Sequence, residues 1–327
     1  MWFVFALIAT LGWGFADLFY KKSSDENDRQ SHLKIAVWVG LVMGLAALII
    51  LLLPNSVPYM EKTLSAKTFL SDLLKYTPAS MAYIISMVIG YAGLRYLEVS
   101  IISPVQNASG ALSAIAMTIF FLFKGRIQSI TEEFGILDFI GTGLIVIGVI
   151  FLAIVEKSIS DKERLKQKDS VEKKYQIGAL ALLFPIAYCV FDTIGTAADG
   201  IILDGETGLG LTEADVLVLY GFTFFAAGLV CWIYILIKNK QVFNPFRHTK
   251  TMGVAACAEE FGQIFYVFAM ARNPVLTAPM VACYCIVSVI LGRVVLKEKL
   301  KPSQYACVIT VIVGIALLGI SEGLAEA

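Results

Sequence analysis

The feature that most restricts this chain is a series of ten apolar runs, each near the ~20 residues that carry a helix across a bilayer, with charge pushed into the connectors. They are Trp2–Tyr20, Leu33–Leu53, Pro78–Leu97, Ile101–Phe123, Phe134–Val155, Tyr175–Ala198, Ala214–Ile237, Met252–Arg272, Val275–Leu296 and Tyr305–Ile320. Inside hydrocarbon no water meets the backbone N–H and C=O groups, so such runs must close their own hydrogen bonds as helices. The composition agrees: 58% of the 327 residues are hydrophobic and only 16% charged, with a mean hydropathy of +0.77. Soluble domains carry about 25% charge. The runs predict an all-α membrane protein of ten transmembrane helices, multi-pass in a plasma (inner) membrane. Zero net charge gives no nucleic acid an electrostatic footing.

The segments between runs carry their own signals. Pro54 to Lys75 is more polar, and its Met60, Leu64, Phe69, Leu70, Leu73 and Leu74 predict a short interfacial helix. The first run lacks a basic leader and a small-residue cleavage site and ends in Lys21–Lys22, so it reads as a retained span rather than a signal peptide. All six cysteines lie in apolar runs of the second half, where they read as small packing residues. Cys283 and Cys285 in a helix would point to opposite sides and suit no metal. His32 and His248 lie in connectors, which leaves no intramembrane imidazole for base catalysis or metal binding. No cofactor is called for.

The chain divides at its one long charged stretch. Residues 1–155 hold five runs, 156–174 form a charged linker, and 175–327 hold five more. Pro104 in the fourth run is answered by Pro279 in the ninth, 175 residues later, and Tyr91 with Tyr266 and Asp17 with Asp192 keep that offset. Gly148 and Gly314 match at a shorter offset of 166. Tight connections join runs three to four and eight to nine. Since five is odd, the second copy would enter the membrane upside down, giving two inverted five-helix repeats with a site near the midplane between them. Twenty of the 26 basic residues fall in the odd-numbered connectors and six in the even ones. By the positive-inside rule this predicts cytoplasmic odd connectors and both termini outside.

Against so apolar a background, Glu259 and Glu260 stand out near the middle of the eighth run. An acid at mid-bilayer costs roughly 2.5–3.5 kcal/mol on insertion scales, so each must be protonated, paired or turned to water. Neighbours on a helix point about 100° apart, which predicts one glutamate in a cavity and the other against a neighbouring helix. These two are best placed for proton coupling or for a cationic group. Their counterparts at offset 175 are Ile84 and Ile85, so the polar spot is asymmetric.

Further candidates surround that spot. Asp17 has Lys21 four residues on and reads as a satisfied ion pair, whereas Asp192 has no local partner. Trp13, Tyr188 and Phe191 could wall a cavity or anchor at the interface. Pro104 and Pro279 each remove a backbone donor and would break their helices beside the cavity. Gln106 and Asn107 could line the site or bond across helices. Tyr91, Tyr266 and Tyr284 offer hydroxyls and ring faces to a ligand, or pack. Gly141, Gly143, Gly148 and Gly314 permit close helix contact.

Three features resemble the drug/metabolite transporter superfamily in its ten-span, EamA-like branch. They are LGWGFADLFYK in the first run, PVLTAPMVACYCIVSVILGRVVLKEKLKPSQYACVITVIVGIALLG through the ninth and tenth, and the duplicated five-run layout. The resemblance implies a secondary-active transporter, an exporter or exchanger of small polar metabolites, working without ATP by exchange or proton coupling. Its partners would be a small-molecule solute, protons and the lipid bilayer, with the chain a monomer or homodimer. Two other classes remain open: a membrane-embedded enzyme acting on lipid-linked substrates, and a non-transporting receptor or assembly protein. The first needs a nucleophile with a base, or a metal cluster, and the sequence offers only the adjacent glutamates. The second leaves the buried acids without a role.

Overall fold

The computed structural model describes residues 1–24, 28–96, 99–132, 135–166, 183–239, 244–248, 250–296 and 301–325. Among them every regular element is helical. In chain order these are α1 (Trp2–Ser23), α2 (Ser31–Leu52), α3 (Phe69–Gly93), α4 (Val99–Gln106), α5 (Ala108–Lys124), α6 (Ile136–Lys166) and α7 (Leu183–Leu203). Then come α8 (Glu213–Asn239), the short α9 (Pro245–His248), α10 (Lys250–Met270), α11 (Pro274–Val281), α12 (Tyr284–Leu296) and α13 (Pro302–Ala325). Among the described residues, six stretches are long and apolar enough to cross a membrane: α1, α2, α3, α7, α8 and the α11–α12 segment Pro274–Gly292. The α10 helix is not among them, consistent with the two glutamates and Gln263 that interrupt its apolar face.

Several boundaries differ from expectation. No interfacial helix forms between residues 54 and 68; Phe69 to Lys75 are instead the opening turns of α3, which runs on through Pro78. The irregular stretch is held by two side chains. Lys62 Nζ donates to the Ile50 and Leu51 carbonyls at the end of α2, at 2.9 and 2.8 Å, satisfying acceptors that the helix end leaves open. Asp215, in the first turn of α8, accepts from Thr63 N, Leu64 N and Thr63 Oγ1. The acidic glycine-rich segment after the sixth run is shorter than the sequence suggests, because α7 continues to Leu203. Residues 321–325 extend α13 instead of fraying. The charged linker is helical up to Lys166; its remainder, 167–174, and the start of the sixth run, 175–182, lie outside the described residues, as do positions 297–300 between the ninth and tenth runs.

The fourth and ninth runs are each split. Their breaks fall at Asn107, between α4 and α5, and at Ala282–Cys283, between α11 and α12. Each break lies three residues past a proline, Pro104 or Pro279, whose ring displaces the preceding turn and donates no hydrogen bond. At its break the Ser103 carbonyl accepts twice from Asn107, from its backbone N–H at 2.9 Å and from Nδ2 at 2.7 Å. The turn before α11 is written in its sequence: Asn273 Oδ1 caps Leu276 N at 3.1 Å, and Pro274 fills the first helical position.

The helices pack in a pattern that survives exchange of the two halves. Pairs α1·α10 and α7·α3 correspond under that exchange, as do α1·α12 and α7·α5, and α2·α10 and α8·α3. Pairs α2·α8 and α6·α13 join corresponding elements directly, and α5·α11 is answered by α12·α4. Gly141 of α6 and Gly314 of α13 face each other, so a Cβ added at either would come within 3 Å of the other's carbonyl oxygen. Gly148 lies against Val311, whereas Gly143 meets open space.

Candidate functional site

A cavity of roughly 880 Å³, its open mouth included, lies where α1, α3, α7 and α10 meet the two broken helices. Close backbone approach sets its floor. The α1 and α10 helices cross where Gly262 has no side chain; a Cβ there would lie 2.5 Å from Trp13 Cδ1. Trp13 consequently lies flat enough to donate from Nε1 to the Glu259 carbonyl oxygen at 3.2 Å.

Of the two adjacent glutamates, Glu259 lines the cavity and Glu260 does not. Tyr20 and Tyr91 both donate to the Glu259 carboxylate, Tyr91 at 3.0 Å to Oε2. Glu260 is buried, and its Oε2 has no hydrogen-bond partner. The rotation of about 100° between adjacent residues therefore separates a cavity acid from an acid packed within the bundle.

Asp17 is corrected by the structure. Its Oδ2 accepts from Ser103 of α4 at 3.0 Å and Ser288 of α12 at 2.9 Å, while Lys21 Nζ donates to the Leu94 carbonyl. The aspartate thus ties the first helix to both broken spans and faces the cavity. Asp192, its counterpart 175 residues on, also lines the cavity and accepts from Ser109 of α5 at 2.6 Å.

Trp13, Tyr91, Gln106, Asn107, Asp192, Glu259, Tyr266 and Tyr284 are brought together as cavity lining. Pro279 is not among the described lining residues; Pro104 and Pro279 precede the breaks at which Asn107 and Ala282 line the cavity. Phe191 is likewise outside it. Sequence inspection passed over Tyr20, Tyr83, Ser109, Thr196, Tyr220 and Gln263, all of which line the wall. One signal could have found some of them. Pairs spaced by 175 recur around the cavity: beyond Asp17 with Asp192 and Tyr91 with Tyr266, they include Trp13 with Tyr188, Asn107 with Ala282 and Ser109 with Tyr284.

Rings and hydroxyls connect these groups. Tyr83 and Tyr266 share a hydrogen bond of 2.9 Å, and Tyr83 also reaches Thr196 Oγ1 at 3.2 Å. Trp13 lies tilted against Tyr266, with centroids 5.1 Å apart and planes 42° from parallel, and meets Tyr284 edge-on at 5.9 Å. Behind this layer Asp199 accepts from Tyr76 at 2.8 Å. The arrangement offers carboxylates and ring faces to a solute, with hydroxyls that can relay a proton. Among the described residues no group of three metal-binding side chains occurs.

Comparison with known proteins fits this geometry. Residues 207–320 match the EamA-like transporter family, part of the drug/metabolite transporter superfamily. No curated protein matches the sequence. A solved chain described only as "Crystal structure of protein" superposes with a TM-score of 0.61 at 13% identity, covering 100% of this chain and 99% of the other. At that identity the likeness concerns the fold alone.

Proposed function

From a membrane chain whose second half carries an EamA-like transporter segment, we propose secondary-active transport of a small polar solute by alternating access, with Glu259 as the coupling or solute-binding acid. The polar cavity between the two halves carries this reading, because a chain that only anchors or assembles has no use for three carboxylates around an internal void. Ten spans arranged as two inverted five-helix repeats, 1–155 and 175–327, account for the exchange-symmetric packing and for breaks at corresponding points of the fourth and ninth runs. Such breaks are where transporters of this class place solute sites. Asp17, Asp192, Asn107, Gln106, Tyr91, Tyr266, Tyr284 and Trp13 form the wall around the solute. Alternating access then follows from rocking one half against the other.

Reconstituted vesicles test this. A panel of radiolabelled amino acids, nucleosides, sugars and amines is loaded as the counter-substrate, and protein-dependent exchange is followed with and without an imposed pH gradient. Exchange of at least one solute, slowed by Glu259→Gln, is the expected result. Absence of exchange across the panel, in protein shown to be folded and inserted, defeats the proposal.

A further inference from the structure

The charge balance of the cavity is one-sided. Asp17, Asp192 and Glu259 line it, and no lysine, arginine or histidine is among the described lining residues. The hydrogen bonds found for these carboxylates come from neutral hydroxyls: two serines for Asp17, one for Asp192 and two tyrosines for Glu259. Hydroxyls solvate a carboxylate but do not neutralise it, and an uncompensated charge away from water is costly. The wall is also unusually aromatic, with seven tyrosines and Trp13 facing the same space. Ring faces attract cations and repel anions. A separate observation adds a second pole: Gln263 lines the cavity, is 4% exposed, and its Nε2 has no hydrogen-bond partner among the described residues.

We propose that the cavity selects an organic cation, a protonated amine on a flat apolar body, carrying a hydrogen-bond acceptor that Gln263 can reach. The ammonium sits among Asp17, Asp192 and Glu259 with tyrosine rings around it, and its body packs against Trp13 and Tyr266. Anions meet like charge throughout, and neutral solutes leave the carboxylates uncompensated. This deepens the transport reading and rests on it for the word solute, though not for binding.

The test uses three indoles alike in shape and different in charge: tryptamine, tryptophol and indole-3-acetate. Binding to the purified full chain is measured by titration calorimetry near neutral pH. Tryptamine is expected to bind at least about tenfold tighter than tryptophol, and indole-3-acetate not measurably. Phenethylamine and 5-hydroxytryptamine extend the amine set, the latter adding an acceptor. Glu259→Gln and Asp17→Asn should erode the preference for charge while the melting temperature stays within a few degrees. Equal or tighter binding of the alcohol or the acid overturns the proposal, and so does failure of every amine to bind folded protein. Vesicle counterflow separates the two readings. Tight amine binding without counterflow sinks transport and spares the cation site; counterflow of neutral or acidic solutes without amine preference does the reverse.

Discussion

The Tyr91 hydroxyl lies 3.0 Å from Glu259 Oε2, and these two residues come from opposite halves of the chain. Tyr20 bonds the same carboxylate, and the Tyr20 and Tyr91 rings lie 4.9 Å apart. Both hydroxyls are donors to an acid that has no basic partner among the described residues, so the trio forms a polar knot at the cavity wall. Glu259→Gln keeps the shape and removes the ionisable group. We expect at least about a tenfold loss of solute flux and a flattened pH dependence in vesicles, with insertion and yield unchanged. Tyr91→Phe deletes one donor to a charged group, for about 1.5–3 kcal/mol, and should slow flux while keeping its pH dependence.

Glu260 provides the matched control. It is buried outside the lining with Oε2 unpartnered, so Glu260→Gln removes a group that is costly to ionise where it stands. Flux and its pH profile should stay near wild type, and the melting temperature in detergent should hold or rise. A collapse of pH dependence in this variant, with Glu259→Gln unaffected, would exchange the roles assigned to the two acids.

Much of this arrangement is legible in the sequence, because a membrane simplifies the code. Apolar runs of near-bilayer length must be helices, and Glu259 within such a run demands an explanation before any contact is known. The 175-residue spacing of Pro104 with Pro279 and Asp17 with Asp192 forecast breaks and lining that the helices display at corresponding places. What stayed hidden depends on geometry across helices. Lys21 follows Asp17 at helical spacing, yet Ser103 and Ser288 reach the carboxylate from two other helices. Tyr20, Tyr83 and Tyr220 resemble packing or interface residues in a linear reading, and only the meeting of α1, α3 and α8 at the cavity shows that they share a wall. The absent interfacial helix has a similar cause: Asp215, 152 positions beyond Thr63, binds the backbone that local periodicity would have made helical.

Gly262 makes the α1–α10 crossing sensitive to a single methyl group. A Cβ at this position would approach Trp13 Cδ1 to 2.5 Å and Nε1 to 2.7 Å, inside van der Waals contact. Gly262→Ala should therefore push the indole off the Glu259 carbonyl, costing about 1–3 kcal/mol as an overpacked site. Gly262→Leu should lower the yield of folded protein outright. Indole displacement is read from intrinsic tryptophan fluorescence, and Trp13→Phe in the Gly262→Ala background should recover part of the lost stability by making room.

Asp17 and Asp192 test whether the two halves are functionally equivalent. Each lines the cavity and takes a serine hydroxyl from the distal helix of a broken span, Ser288 of α12 or Ser109 of α5. Asp17 has an additional donor in Ser103. Asp17→Asn and Asp192→Asn should both reduce flux, and each disturbs two hydroxyl donors, Ser103 and Ser288 at Asp17 and Ser109 and Tyr188 at Asp192. Under the proposed alternating access between inverted halves, the two variants should slow opposite directions of exchange. Equal slowing of both directions by each variant would place the acids in solute binding alone.

Asp204 lies in the connector between α7 and α8, away from the cavity. Its Oδ1 pairs with Arg126 Nε at 2.7 Å, and its Oδ2 accepts from the Thr207 N–H and hydroxyl at 2.9 and 2.8 Å. Burial works to raise the acid's pKa, but the Thr207 hydrogen bonds and the guanidinium outweigh it and hold the carboxyl below 3.8. The sign follows from linkage. A carboxyl whose folded pKa is depressed contributes stability that is present above the unfolded pKa and lost as pH falls through the folded one. Melting temperature in detergent should therefore drop as pH goes below about 4, with this pair among the causes. Asp204→Asn should remove its share at neutral pH, about 1–3 kcal/mol, and flatten the acid limb of the melting curve. Arg126 also covers the Phe121 ring, with its guanidinium carbon 4.6 Å from the centroid. Arg126→Lys should accordingly lose stability through both the lost fork and the lost ring contact, even though the charge is kept.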